Sequence, residues 1–413
     1  MRFKNLPHPE RQTAYLLLLA SLFNGFMQSF GQTQDIIARK ALHASDWQIL
    51  AMTLIWPITN FLSIWMGRLF ERSCHKSRYF IIAGIFGRLS LVYGLWLAGM
   101  NEYLILLTLL YASNSIIIPA QNHIYQKNID ASRRAKVYGY TISLGMFVSV
   151  AITFIGGRLL DTQAGFHRWI LFATGIAGFI SCMFLSRVRI KEDKPCEDRE
   201  PLTWRQALTD PIRRSVKLLR ENKPFASFER SFSIYGMGFI MMTPVIPIYL
   251  VDTLKLSYTA NFLSKGILSQ AGMLFLSPVL GKLHDRLHPF RFISLSFGTL
   301  MFFPLLIIVS SLFTTSVTLS TIVVFIAYAV FGVAMAGINM AWNMSSIFFA
   351  GKDDAAMYQS VHVTMTGIRG LIAPVLGLGL MHFFGYKAVF LVASGFLATA
   401  SIVSYLDHKR LKD

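Results

Sequence analysis

Most of the polar side chains in this chain that could do chemistry lie inside long apolar runs. In the first run, Asn24, Gln28 and Gln32 are spaced four residues apart, so they share one face of a helix. An amide that faces lipid is costly, so this face is expected to point into protein or water. Such a row can hydrogen-bond a polar solute, or it can join helices to one another. The sequence leaves both roles open.

Charged residues inside the apolar runs are few. Arg369 lies near the middle of one of the last runs, where an unpaired charge is costly and a functional role is the default. It is predicted either to anchor an anionic group of a substrate or to form a structural pair. Asp35, at the end of the first run, is a candidate for proton coupling or for a pairing at the external mouth. Arg88 and Lys265 are interpreted as packing or snorkelling residues.

One six-residue pattern occurs twice, as GRLFER at 67–72 and as GKLHDR at 281–286, each time after an apolar run and before a basic loop. Both copies keep a first glycine, an acid and a final arginine: Gly67, Glu71, Arg72, Gly281, Asp285 and Arg286. An acid at the membrane edge is favoured at the positive N-terminus of a neighbouring helix. The arginines can pair with such acids or with lipid phosphates.

The elements that position these residues are predicted to be membrane-spanning helices. The chain is 54% hydrophobic and 15% charged, whereas about a quarter of a typical soluble protein is charged. The apolar runs are roughly 20 residues long, the length of a helix that crosses about 30 Å of hydrocarbon. The predicted spans are 13–35, 47–66, 79–99, 102–126, 136–158, 167–187, 227–251, 258–280, 290–311, 319–348, 358–383 and 386–406.

The net charge of +18 is explained by topology. With both termini inside, roughly 30 of the 39 Lys and Arg residues fall in cytoplasmic segments, a strong positive-inside bias. No basic soluble domain remains to bind nucleic acid, so the lipid bilayer is the expected environment. The three cysteines imply no disulfide framework, because Cys74 and Cys196 fall in loops where cytoplasmic thiols stay reduced.

The two halves of the chain repeat each other. Besides the six-residue pattern, Glu10-Arg11 matches Glu229-Arg230, each at the start of a half. The predicted organisation is a six-helix bundle (1–188), a basic amphipathic cytoplasmic linker (189–224) and a second six-helix bundle (225–413). The linker is expected to lie on the anionic inner leaflet, with a partner-binding role left open. Repeats of this kind are typical of secondary transporters, with the substrate site between them.

The repeated pattern resembles the signature loop of the major facilitator superfamily, G-x-L-x-D-R-x-G-R-[RK] between spans 2 and 3. The chain resembles this family over its whole length, although Glu71 replaces the usual Asp and Cys74 stands where a second Gly is usual. The resemblance implies an all-α membrane protein with 12 transmembrane helices in two pseudo-symmetric bundles. It further implies a solute transporter working by alternating access, without a cofactor. A monomer in the bacterial inner membrane, with both termini cytoplasmic, is expected.

In that fold the acids of the repeated pattern are expected to reach the helix starts of the opposite half. Glu71 would face the start of span 11, and Asp285 would face the start of span 5, which is entered through Arg133 and Arg134. Such contacts would latch the outward-open state. The alternative is ordinary positive-inside charge with incidental acids.

The resemblance also implies that spans 1, 4, 7 and 10 line the substrate cavity. The predicted substrate-cavity residues are Asn24, Gln28, Gln32, Asn114, Gln121, Asn122, Tyr235, Asn339, Trp342, Asn343 and Arg369. No acid is identified at mid-membrane to neutralise a cationic drug, which favours neutral or anionic solutes. His123, His362 and His382 belong to no metal-ligand cluster in the sequence, and satisfied or cavity-lining roles are expected for them rather than metal binding.

Several classes of function are disfavoured by what the chain lacks. It has no G-x-x-x-x-G-K-[ST] sequence, so ATP driving is not expected, and no His, Cys and acid cluster has metal-ligand spacing. An enzyme is not predicted, because no nucleophile and base pair stands out. The prediction is a secondary active transporter of a small neutral or anionic organic solute, with a proton or ion as a candidate coupling partner. The alternatives are a multidrug-type effluxer of the same fold and a non-transporting membrane sensor or assembly protein.

Overall fold

The computed structural model describes the backbone at residues 7–163, 165–190, 213, 215–350 and 355–410. Within these ranges some side chains lie outside the description. They are those of 60, 62–65, 67–69, 71–72, 131–132, 134–136, 273, 277–278, 281–282, 285, 343–347, 355–357 and 359–360.

The described residues form helices and no strand. The long helices are α1 His8–Lys40, α2 Asp46–Arg72, α3 Lys76–Trp96, α4 Met100–Asn128, α5 Ala131–Thr162, α6 His167–Ser186, α7 Lys223–Thr253, α8 258–286, α9 Pro289–Phe313, α10 Val317–Ala350, α11 355–384 and α12 386–410. A short helical stretch at 215–221 precedes α7. Gly385, with φ 79°, divides α11 from α12; this left-handed conformation favours glycine.

Length and apolar content explain why these segments are helices that cross a membrane. Nine helices within the described residues are long and apolar enough to do so. In lipid, only a helix or a closed barrel satisfies every backbone polar group, so long apolar runs become helices. The predicted all-α membrane fold is confirmed. Most helices extend a few residues beyond their predicted spans, because a helix continues past the hydrocarbon into the polar interface.

The chain divides into two compact units. Unit 1 comprises Met1–Ala44 and Ile58–Leu202, and unit 2 comprises Ser45–Pro57 and Thr203–Asp413. In unit 1, α1 packs against α5 and α6, and α3 packs against α6. In unit 2, α7 packs against the helices of Ala355–Arg410, and α10 packs against α8 and α9. The predicted linker 189–224 lies mostly outside the described residues, so its boundaries and those of the two predicted bundles stay predictions.

In the part of the chain that the structure describes, three helices contain a π-helical turn. These turns are Ala83–Arg88 in α3, Tyr249–Thr253 in α7 and Leu263–Leu268 in α8. Each contains a charged residue, namely Arg88, Asp252 or Lys265. A π turn holds an extra residue and changes the direction of the side chains around it, often at functional sites.

The cysteines differ from the sequence-based expectation. Cys74 is disulfide-bonded, whereas Cys182 is free and buried. The expectation of reduced thiols at Cys74 was therefore wrong. That expectation was based on the reducing conditions of the cytoplasm, which affect how long a disulfide persists there. Which cysteines approach each other is determined by the fold and cannot be read from that argument.

Candidate functional site

Unit 1 contains a cavity of about 220 Å³ between α1, α3, α4, α5 and α6. Four predicted cavity residues line it: Asn24, Gln28, Gln121 and Asn122. The other lining residues are Ala20, Ser21, Arg88, Ile117, Ile118, Tyr125, Tyr138, Thr141, Ile142, Ser181, Cys182 and Leu185. The prediction that the amide faces of spans 1 and 4 look into one polar space agrees with this lining.

Arg88 supplies the positive charge of this cavity. It is 4% exposed, and its Nη2 donates a hydrogen bond to Asn114 Oδ1 at 2.6 Å. Its Nε has no hydrogen-bond partner among the described residues. The stem of Arg88 passes α6 at Gly178, where a Cβ would lie 3.1 Å from Arg88 Cδ. A larger residue there would push the guanidinium out of place.

The sequence predicts packing or snorkelling for Arg88; the structure places its stem against α6 and its guanidinium group at the cavity. Arg88 ends the π turn of α3, and that turn directs its side chain to the cavity beside Cys182. Regular 3.6-residue periodicity does not reveal a π turn. The sequence does indicate a functional role for Arg88 through its charge, since an arginine inside a membrane helix is functional by default.

Hydroxyl groups fix the helices around the cavity. Ser21 on α1 donates to the carbonyl oxygen of Thr141 on α5, and the Tyr125 hydroxyl lies 2.7 Å from the Thr141 hydroxyl. Ser181 on α6 donates to the carbonyl oxygen of Ala20 at 2.8 Å. Interhelical bonds of this kind tie the helices of a membrane protein together. The amides are therefore held on a preorganised frame.

The chemistry available in the unit 1 cavity is hydrogen bonding plus one positive charge. The amides both donate and accept, while Arg88 donates only. The lining residues include no Asp or Glu. Such a set suits a neutral polar group or an anion and does not neutralise a cation.

Unit 2 contains a buried pair that sequence reasoning missed. His362 Nδ1 on α11 lies 2.6 Å from Glu229 Oε1 on α7, and the side chains are 1% and 2% exposed. The sequence predicts a satisfied or cavity-lining role for His362, but it does not identify Glu229 as its partner. The two residues are 133 positions apart, so no local spacing could join them. Glu229 was visible as a repeat of Glu10, but its predicted position near the start of span 7 hid its depth, because α7 begins at Lys223.

Arg369 lies in the same region of unit 2. It is 4% exposed, and its Nη2 donates to Thr366 Oγ1 at 2.6 Å. Its Nε and Nη1 have no hydrogen-bond partner among the described residues. Arg369 is not hydrogen-bonded to Glu229, whose Oε1 is paired with His362. Gly236 makes room for the guanidinium, because a Cβ there would lie 3.0 Å from Arg369 Cζ.

The two aromatic residues predicted to line the cavity pack against other rings. Tyr235 stacks on Phe297 with ring centroids 4.6 Å apart, and Trp342 lies 5.3 Å from the His362 ring. Both therefore belong to the packing around Glu229, His362 and Arg369. Neither they nor Arg369 lines the unit 1 cavity.

The remaining predicted residues are spread over the chain. Gln32 and Asn339 are half-buried, and Asp35 Oδ1 accepts from the backbone N–H of Ile36 at 2.9 Å. Arg133 Nη1 lies 3.3 Å from Glu10 Oε2, and Arg286 is exposed. The side chains of Gly67, Glu71, Arg72, Arg134, Gly281, Asp285 and Asn343 lie outside the described residues. The latch therefore stays a prediction.

No group of three or more His, Cys, Asp and Glu side chains within the described residues could hold a metal ion. Two sites are described by their side chains. One is a polar cavity with an arginine, and the other is a buried carboxylate, imidazole and guanidinium cluster.

Comparison with known proteins agrees with this architecture. The model of the Major Facilitator Superfamily matches residues 14–368. The multidrug resistance protein MdtG of Escherichia coli (strain 55989 / EAEC) is 23% identical over 393 residues, which cover 94% of this chain and 91% of MdtG.

Two solved transporter structures share the fold. A POT family transporter in complex with 5-aminolevulinic acid has a TM-score of 0.76 and 13% identity, covering 100% of this chain and 98% of that one. The nucleoside transporter NupG has a TM-score of 0.70 and 14% identity, covering 98% of this chain and 100% of that one. The chain is an integral membrane transporter rather than an enzyme, and it belongs to the major facilitator superfamily.

Proposed function

We propose that this chain is a secondary active transporter that moves a small neutral or anionic organic solute across the bacterial inner membrane by alternating access. The observation that carries the proposal is Arg88, a buried cation whose Nε lacks a partner among the described residues, in a cavity otherwise lined by amides, hydroxyls and apolar groups. Buried polar groups are nearly always paired, so an unpaired guanidinium nitrogen in a cavity favours a ligand that pairs with it. Action as a monomer is part of the proposal.

The size of the cavity supports a small solute. Its volume of about 220 Å³ is below the range of about 300–1,000 Å³ that is usual for sites of drug-sized ligands. It holds a small molecule or the polar end of a larger one. Asn24, Gln28 and Gln121 would then select the solute by hydrogen bonds, since a buried amide left unpaired is costly.

A multidrug-type effluxer of the same fold is the second candidate. It is favoured by the similarity to the multidrug resistance protein MdtG over most of both chains. The apolar part of the lining, Ile117, Ile118, Ile142 and Leu185, would suit lipophilic compounds. The absence of an acid among the lining residues disfavours cationic drugs.

A ligand screen on purified protein tests the proposal. The panel contains small organic acids, neutral polar solutes and lipophilic cations, and the readout is the shift of the melting temperature. We expect the organic acids or neutral polar solutes to raise it. Arg88→Gln should weaken their binding by about tenfold or more, because a charge-assisted hydrogen bond contributes about 1.5–3 kcal/mol.

Arg168→Gln is the matched control, since Arg168 is an exposed arginine outside the cavity. It should bind the same solutes as the unmodified protein. Stabilisation by lipophilic cations alone, unchanged in Arg88→Gln, would reject the proposal and favour the multidrug alternative.

A further inference from the structure

We propose that Glu229 and His362 take up and release the coupling proton of the transport cycle, with Arg369 as the cation that balances them. The inference deepens the proposed transport function and rests on it. It assigns the coupling role to α7 and α11 of unit 2, and it replaces Asp35, whose Oδ1 accepts a local backbone hydrogen bond.

The geometry of the pair allows it to gain a proton without losing its contact. His362 Nδ1 and Glu229 Oε1 are 2.6 Å apart, so one proton lies between them. His362 Nε2 has no hydrogen-bond partner among the described residues, and the same holds for Glu229 Oε2. A hydronium ion that reaches the pair transfers its proton to the lone pair of Nε2: one O–H bond breaks, one N–H bond forms, and water is left. The net charge of the pair then changes from −1 to 0.

Because Arg369 is positively charged, the change of charge on the Glu229 and His362 pair changes the net charge of the whole cluster. With the pair at −1, the guanidinium is balanced and the cluster is neutral. With the pair at 0, the cluster has a net charge of +1 at 4% exposure or less. A net charge buried in a membrane protein is costly. Proton uptake therefore favours whatever restores balance, either an anionic group of the solute or access of water.

Charged groups around the cluster are few, so its own charge dominates. Tyr235 on α7 is a further titratable group that acts on Arg369. On α12, Asp407 accepts from Arg230 Nη2 with both carboxylate oxygens, at 2.9 and 2.8 Å, and is thereby balanced. The sequence of α10, 317–350, contains no Asp, Glu, Lys, Arg or His, and α9 has Arg291 near its start.

Aromatic rings shield the pair from water. The rings of Phe232, Trp342 and Phe228 lie 4.8, 5.3 and 6.0 Å from the His362 ring. Low polarity strengthens the electrostatic interaction between the three charged groups. A purely structural ion pair would have its remaining donors and acceptors satisfied. Here Arg369 Nε and Nη1 are also without a partner among the described residues.

Trp342 gives a readout that needs no solute. A protonated imidazole beside an indole quenches its fluorescence, and Trp342 is next to His362. The experiment records tryptophan fluorescence of the full chain in liposomes between about pH 5 and pH 9. The signal of Trp342→Phe is subtracted to isolate this residue. We expect the Trp342 signal to fall at least twofold on acidification, to be flat in His362→Gln, and to shift its midpoint to lower pH in Glu229→Gln.

Asp407→Asn is the matched control, because it removes the neighbouring ion pair of α7 and leaves the cluster intact. Its titration should equal that of the unmodified protein. The Trp342 signal is obtained by comparing the unmodified protein with Trp342→Phe, and both proteins keep Glu229, His362 and Arg369. The pH titration of this signal can therefore be measured even if a Glu229 or His362 variant fails to fold. A flat Trp342 signal over this pH range would overturn the proposal whatever transport shows.

Proton movement is then measured in liposomes loaded with the pH dye pyranine, with organic acids of the screening panel added outside. We expect solute-dependent acidification with the unmodified protein and with Asp407→Asn. His362→Gln should exchange labelled solute across the membrane and cause no acidification. Acidification by His362→Gln at the unmodified rate would overturn the proposal. Solute exchange without acidification by the unmodified protein would overturn proton coupling and leave the proposed function standing.

Discussion

Among the described residues, two arginines lie buried within the helices, and they differ in what surrounds them. Arg88 lines a cavity and donates to the neutral amide of Asn114, so its charge is available to a ligand. Arg369 donates to Thr366, is not hydrogen-bonded to Glu229 and lines none of that cavity. A buried cation costs free energy unless it is paired. The first arginine is therefore suited to bind an anion, and the second to respond to a proton.

A third residue connects pH to stability at the start of α9. His288 Nδ1 accepts from the backbone N–H of Phe290 at 3.3 Å, and its ring lies 5.4 Å from that of His408. Burial, and then the neighbouring His408, lower the pKa of His288 below its ordinary value of 6.5. The unfolded chain therefore binds this proton more readily.

The contribution of His288 to stability is complete above about pH 6.5 and is lost as the pH falls from there toward the lowered pKa. His288→Asn keeps a helix cap and cannot titrate. Between about pH 7.5 and pH 5.5 we expect the melting temperature of this variant to fall less than that of the unmodified protein. His75→Asn, at an exposed histidine, should leave the slope of melting temperature against pH unchanged. Equal slopes of melting temperature against pH for all three proteins would contradict the assignment.

At the scale of elements, helices approach closely where glycines leave room. α7 and α11 meet at Gly377, where a Cβ would overlap the carbonyl group of Met241 and lie 2.8 Å from its carbon. Gly379, two residues further along α11, has nothing within 4 Å of a Cβ position. These two positions share a helix and differ only in what they face.

Gly377→Ala should therefore destabilise the protein by about 1–3 kcal/mol, since backbone atoms cannot move aside as side chains do. Gly379→Ala should be neutral or stabilising by up to about 1 kcal/mol, because alanine favours the helix. The melting temperatures of the two purified variants, compared with that of the unmodified protein, test both expectations. A Gly377→Ala protein as stable as Gly379→Ala would show that α7 and α11 are further apart at this point.

At the scale of the whole molecule, composition predicted most of the fold, because lipid permits few structures. The amides Asn24, Gln28 and Gln121 line the unit 1 cavity, and their role in binding a substrate stays a prediction. Glu229 and His362 were not paired, because periodicity describes one helix at a time. Arg88 was assigned to packing or snorkelling because span 3 is peripheral in the fold that the sequence resembles, so its position at a cavity was not predicted.

Orientation in the membrane is a prediction of the whole molecule, from the excess of Lys and Arg in segments placed inside. We expect both termini to be cytoplasmic. A green fluorescent protein fused after the last residue should fluoresce, and alkaline phosphatase at the same place should be inactive. Insertion between α5 and α6, at residues 163–166, should give the opposite pair of results. An active phosphatase at the C-terminus would reverse the orientation.

The π turn of α3 has a consequence for how this chain can change during evolution. An α-helix turns by about 100° per residue, and a π turn takes up one extra residue with a smaller rotation per residue. The loss of one residue from Ala83–Arg88 would therefore restore a regular helix and leave Arg88 pointing in nearly the same direction. Among relatives, such a change would be recorded as a one-residue gap beside an arginine that still lines the cavity.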